Sequence, residues 1–139
     1  MRHFTPEEAN AALEQVRPLV EKMVAHRKAH VAALARQEEL EGRIRGNGGG
    51  IPPATLAEAA AEVEREAREL ARAIDGLNEQ GVQVKDLDEG LIDFPAIRDD
   101  ETVLLCWKLD EDEIRYWHRV EDGFAGRRPI EDFGEAASN

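Results

Sequence analysis

Apolar positions along the chain change period near Gly81, and that change divides the sequence into two halves. Before it, apolar residues recur at helical spacing. Thr5-Pro6-Glu7-Glu8 reads as a capping box opening the first helix: a hydroxyl cap, proline at the first helical position, and glutamate three residues on. Pro18 falls inside the helical pattern and predicts a kink or break near Val16, because it removes a donor and crowds the preceding turn. The pattern continues through Val20, Met23, Val24, Val31, Leu34, Leu40 and Ile44, and Gly46-Asn47-Gly48-Gly49-Gly50 ends it. A second helix follows Pro52-Pro53. Its Leu56, Ala60, Val63, Ala67, Leu70, Ile74 and Leu77 alternate spacings of four and three, an a/d seam closed by Gly81. Two such helices joined by a Gly-rich loop predict an antiparallel hairpin.

After Gly81 the period becomes alternating. Val82, Val84 and Leu87 predict a short strand, and Gly90–Pro95 a turn leading into an extended segment. The firmest strands are 102–109 and 114–120, joined by a short hairpin at Asp110–Glu113, with a Gly-rich turn at 123–126 beyond. The expectation is one α+β domain over 1–139. A helical hairpin occupies 1–80 with its loop at 46–50, an antiparallel meander occupies 81–130, and a small polar tail, frayed at its end, occupies 131–139.

Composition narrows the function classes. With 30 acidic against 18 basic residues and a net charge of −12, the chain's field opposes nucleic acid and anionic membranes. One cysteine forms no internal disulfide, and neither a leader segment nor a membrane span is legible, so the expected location is the cytoplasm. The small-residue seam of the second helix makes a homodimer the expected assembly.

Candidate chemistry lies almost wholly in the second half. Pairing core face to core face sets Leu109 against Ile114, Trp107 against Tyr116 and Leu105 against His118. Cys106 and His118 then point to opposite faces, which disfavours a shared metal site and makes Cys106 a small buried hydrophobe. His118 has two readings: a core histidine satisfied by a carbonyl or by Asp93, or an acid–base pair with Asp93 or Asp86. Asp86, Asp88, Glu89 and Asp93 are suited to a hard cation, but their spacing is not that of a calcium loop, and turn-forming acids explain them better. His26 and His30 share a helix face without an HExxH signature, and read as solvated. Gly126 and Arg127, in the turn 123–127, are candidates for an anion or ligand. Trp117, set between Arg115 and Arg119 on the face opposite the core, is a candidate for stacking on a partner. No metal is predicted, with Asp86, Asp93 and His118 as weak candidates; the cofactor is unknown and no reaction is assigned.

The residues also resemble a known family. Phe4, Thr5, Glu8, Ala9 and Asn10, then VKDLD at 84–88, GLIDFP at 90–95, Leu105-Cys106-Trp107, Trp117-His118 and GFAGR at 123–127 are similar to the bacterial proteins grouped as domain of unknown function 2203. The resemblance covers nearly the whole chain. Asp110-Glu111 departs from the Gly-Glu often found there, which bears on the turn. The resemblance implies no activity. Two functions therefore stand: an interaction module working through its helical hairpin, or a metal- or ligand-binding protein, enzyme included, in which Asp93, His118 and Arg127 converge.

Overall fold

A computed structural model describes residues 2–47 and 50–137. Helix α1 (Pro6–Asn47) and helix α2 (Pro53–Glu79) form the hairpin. Five strands follow in an antiparallel sheet of order β1-β2-β3-β4-β5: β1 (Gln83–Asp86), β2 (Leu91–Arg98), β3 (Glu101–Lys108), β4 (Tyr116–Arg119) and β5 (Arg128–Pro129). A 3-10 turn at Phe124–Gly126 precedes β5, and helix α3 (Ile130–Ala137) closes the chain. The expected α+β architecture of a long helical hairpin followed by an antiparallel meander is what the chain adopts. Gly48 and Gly49 of the hairpin loop, and Ser138 and Asn139 of the tail, lie outside the described residues.

The capping box forms as its spacing requires: the Glu8 amide donates to Thr5 Oγ1 at 3.1 Å and the Thr5 amide to Glu8 Oε1 at 2.9 Å. Pro18 does not break α1. Both Pro18 and Glu14, whose carbonyl it leaves without a helical donor, are exposed, so the orphaned group lies on the solvent side of the helix. The tail also departs from expectation, since residues 130–137 are helical and Phe133 inserts edge-on against Trp117, ring centroids 6.0 Å apart.

The core lies between the first half of the hairpin and one face of the sheet. Ala9, Leu13, Val16, Val20 and Met23, at alternating spacings of four and three, pack with Ala73 and Leu77 onto Ile92, Phe94, Val103, Leu105, Trp107 and Trp117. Farther out the two helices cover only each other, and Ala33, Leu40 and Ala59 are the residues buried there. Pro95 sits within β2 without disrupting it. Its carbonyl accepts from the Phe4 amide at 2.7 Å, on the side away from β3, so its missing donor is not one the β2–β3 ladder uses. The two-residue connection Asp99-Asp100, both at positive φ, makes the tight β2–β3 hairpin.

The register of β3 with β4 differs from expectation by one residue. Leu104 faces His118, Leu105 faces Trp117 and Cys106 faces Tyr116. The cause is the connection after β3. Ile114 enters the core before the strand begins, its amide donating to Asn10 Oδ1 at 2.7 Å, while Arg17 of α1 donates to the carbonyls of Glu111 and Asp112. Counting alternation from Ile114 therefore gives the wrong phase. Trp117 is fully buried in the core, not on the outer face, and Tyr116 is half-buried on the outer side.

Gly90 separates two kinds of glycine cost. Its φ is +70°, and a Cβ there would meet Val20 Cγ1 at 2.8 Å, whereas Gly123 at φ +64° faces open space. Gly90→Ala is expected to lower unfolding free energy by about 3 kcal/mol, combining left-handed strain with overpacking. Gly123→Ala should cost only the conformational part, about 2 kcal/mol, because φ +64° with ψ −165° is a backbone conformation nearly confined to glycine. Chemical denaturation of the two variants measures the difference.

Candidate functional site

The phase of β4 builds the site. With Trp117 turned to the core, His118 stands on the outer face of the sheet, where Asp93 of β2 lies opposite Cys106 of β3. The three side chains come from three adjacent strands, and one donor atom of each lies within 4.8 Å of the other two. Cys106 and His118, expected to point apart, are therefore neighbours. All three are buried, Asp93 and Cys106 at 1% exposure and His118 at 3%. Such burial on the outer face requires a cover, which the loop from Val120 to Arg127 provides. Under it is a pocket of about 300 Å³ whose floor is Asp93, Cys106 and His118 and whose walls include Leu91, Leu104, Val120 and Phe124.

Hydrogen bonding fixes the histidine. Its Nδ1 lies 2.8 Å from the Arg119 carbonyl oxygen, which only accepts, so Nδ1 carries a hydrogen and donates. Nε2 lies 3.2 Å from both Asp93 oxygens. The hydrogen bond to Asp93, then that to Cys106, raises the His118 pKa from 6.5 to about 10, against burial, which acts to lower it. His118 is thus an imidazolium at neutral pH, facing Asp93. Both ring nitrogens are engaged, so neither is free for proton transfer in this state.

The other sequence candidates lie elsewhere. The Arg127 guanidinium is held by Glu111, Nη2 donating to Oε1 at 2.7 Å and Oε2 at 2.8 Å, and it stacks on Tyr116 and Phe124. It braces the loop and does not line the pocket. The amides of Gly126 and Arg127 donate to the carbonyls of Gly123 and Phe124, so the turn consumes the groups that would have received an anion. A Cβ on Gly126 would lie 2.4 Å from Asp122 Cβ, which explains the glycine by packing alone. Trp117 is flanked by Arg98 and Arg128 at 4.5 and 5.3 Å from its ring, within the chain itself. Asp86 caps its own turn, Oδ1 accepting from the Asp88 and Glu89 amides at 2.8 and 3.1 Å. His26 pairs with Glu66 across the hairpin at 2.6 Å, and no third metal-ligating side chain joins it and His30 among the described residues.

The residue that sequence reasoning set aside is Cys106. A signal for it was present: Val103–Trp107 is an unbroken apolar run, which marks a strand buried on both faces, so the outer face of β3 had to be covered too.

The histidine pair gives the protein a defined pH dependence. A folded pKa above the unfolded value of 6.5 stabilises the fold fully below that value, and the contribution is lost as pH rises through about 10. Thermal unfolding between pH 6.5 and 10 should show stability falling with pH in the wild type. Asp93→Asn, which removes the main cause of the raised pKa, should flatten that dependence.

Among the described residues no helix is long and apolar enough to cross a membrane. No curated protein and no solved structure matches the chain. A family model described as an uncharacterized conserved protein, DUF2203, matches residues 2–130, and the chain belongs to that family.

Proposed function

We propose that the protein binds one divalent metal ion of the zinc class through Asp93, Cys106 and His118, leaving one coordination position open to the pocket. The observation that carries this reading is the convergence of three different donor types from three adjacent strands on one point at a pocket floor. Tetrahedral zinc holds its ligand atoms roughly 3.3–3.7 Å apart, given bonds of about 2.0–2.3 Å. The 3.2 Å between Nε2 and the Asp93 oxygens is close to that spacing before any metal enters. The Nδ1–H bond to the Arg119 carbonyl is the kind of outer contact that orients a metal-binding imidazole and directs Nε2 to the ion. A thiolate and an imidazole favour a borderline or soft cation over magnesium or calcium.

The competing chemistry, a cysteine nucleophile activated by a histidine–aspartate pair, is less well supported. That arrangement needs one ring nitrogen for the thiol and the other for the carboxylate. Here Nδ1 is bonded to a backbone carbonyl and Nε2 to Asp93, so neither ring nitrogen is left for the Cys106 thiol. Metal binding requires one nitrogen only. A reducing cytoplasm, which keeps Cys106 as a thiol, is the compartment this reading calls for.

A second reading, self-association through the hairpin, is favoured by Val31 and Leu34, which stay exposed beyond the part of α1 that packs on the sheet. Two copies burying these positions would form a homodimer through α1.

Metal-free protein titrated with Zn²⁺ or Co²⁺ should take up one ion per chain and melt at higher temperature. At a free ion concentration of 100 times Kd the gain is about 2.7 kcal/mol. Cys106→Ser and His118→Asn should each weaken binding by about 100-fold or more, with circular dichroism confirming that both fold. Retention of no metal, together with an unchanged melting temperature, would refute the site. For the second reading, sedimentation should give a dimer that Leu34→Glu converts to a monomer; a monomeric wild type at high concentration would dismiss it.

A further inference from the structure

We infer that the pocket above the metal site takes a small monocarboxylate with an apolar body, an inference that rests on the metal reading. Charge comes first. With a divalent ion bound by the Asp93 carboxylate, the Cys106 thiolate and a neutral His118, the floor of the pocket carries no net charge. The one charged side chain among the remaining pocket residues is Lys85, and no ion pair engages it among the described residues. In a chain of net charge −12 this leaves a cation at a pocket otherwise neutral, which favours a monoanion. The backbone also singles Lys85 out: the β1–β2 register shifts between Val84 and Asp86, leaving Lys85 with no residue opposite. Such irregularities recur beside binding sites, where they re-aim a side chain.

The walls give the rest of the ligand. Val120 is 57% and Phe124 44% exposed, yet both line this pocket together with Leu91 and Leu104. Large apolar side chains left in water around a polar floor are the pattern of a site in which a ligand covers them. A carboxylate fits the head position because it can give one oxygen to the ion and leave the other for Lys85. The volume of about 300 Å³ lies at the small end of ligand pockets, which excludes nucleotides and long chains.

The test uses full-length Co²⁺-loaded protein and reads the visible spectrum of the ion, with benzoate as the probe. Benzoate should shift the spectrum saturably, and benzamide, its neutral counterpart, should not. Lys85→Gln should weaken benzoate about tenfold. Val120→Ser, at an exposed position, should weaken benzoate about threefold and leave acetate unchanged. If cobalt binds but benzoate and benzamide behave alike, or Lys85→Gln has no effect, the carboxylate inference is overturned and the metal site stands. If acetate and inorganic phosphate bind as tightly as benzoate, the apolar body is wrong. If cobalt itself does not bind, the metal reading fails first and the inference falls with it.

Discussion

The site depends on the pleat of β3. Successive side chains of this central strand must serve two compartments, because Val103, Leu105 and Trp107 complete the core against the helices while Leu104 and Cys106 face the loop-covered side. A strand buried on both faces has no polar face to mark its outside, so its phase is set by what its neighbours can bury. Trp117 settles it. Placing that indole against Phe94's side of the sheet, with Phe133 on its edge, removes a large apolar surface from water, and the same choice turns His118 outward. Asp93 then follows from β2, where Ile92, Phe94 and Ala96 take the core positions and leave the carboxylate opposite Cys106.

That dependence explains which parts of the molecule were legible in the sequence. The helices were, because their signals are local: the Thr5–Glu8 box, Gly81 at positive φ after α2, and the a/d spacing of the second helix. The strands were too, because branched and aromatic residues fill them. The Cys106–His118 neighbourhood was not, because it turns on one residue of phase, and the phase is set at long range. Asn10 and Arg17, about a hundred positions earlier, hold the loop after β3 and pull Ile114 into the core ahead of β4. A count that starts from Ile114 inherits that displacement. Asp93 and His118 were named as a pair in sequence and do meet. Arg127 was grouped with them because loop residues near a site look alike in sequence, whether they line it or brace it.

Arg127 shows what bracing accomplishes. A loop of eight residues, two of them glycine, would not by itself hold a fixed cover over the sheet. The guanidinium, mostly buried and bonded to both Glu111 oxygens, ties the Val120–Arg127 loop to the loop after β3, which Arg17 ties to α1. The cover is thereby anchored to the helical hairpin through a chain of charged contacts and not through apolar packing. The loop is held from behind, and Val120 and Phe124 stay exposed at the rim of the pocket. The buried histidine–aspartate pair adds a contribution to stability that is lost as pH rises through about 10. The proposed metal ion would account for the gathering of donor atoms from Asp93, Cys106 and His118 beneath that cover.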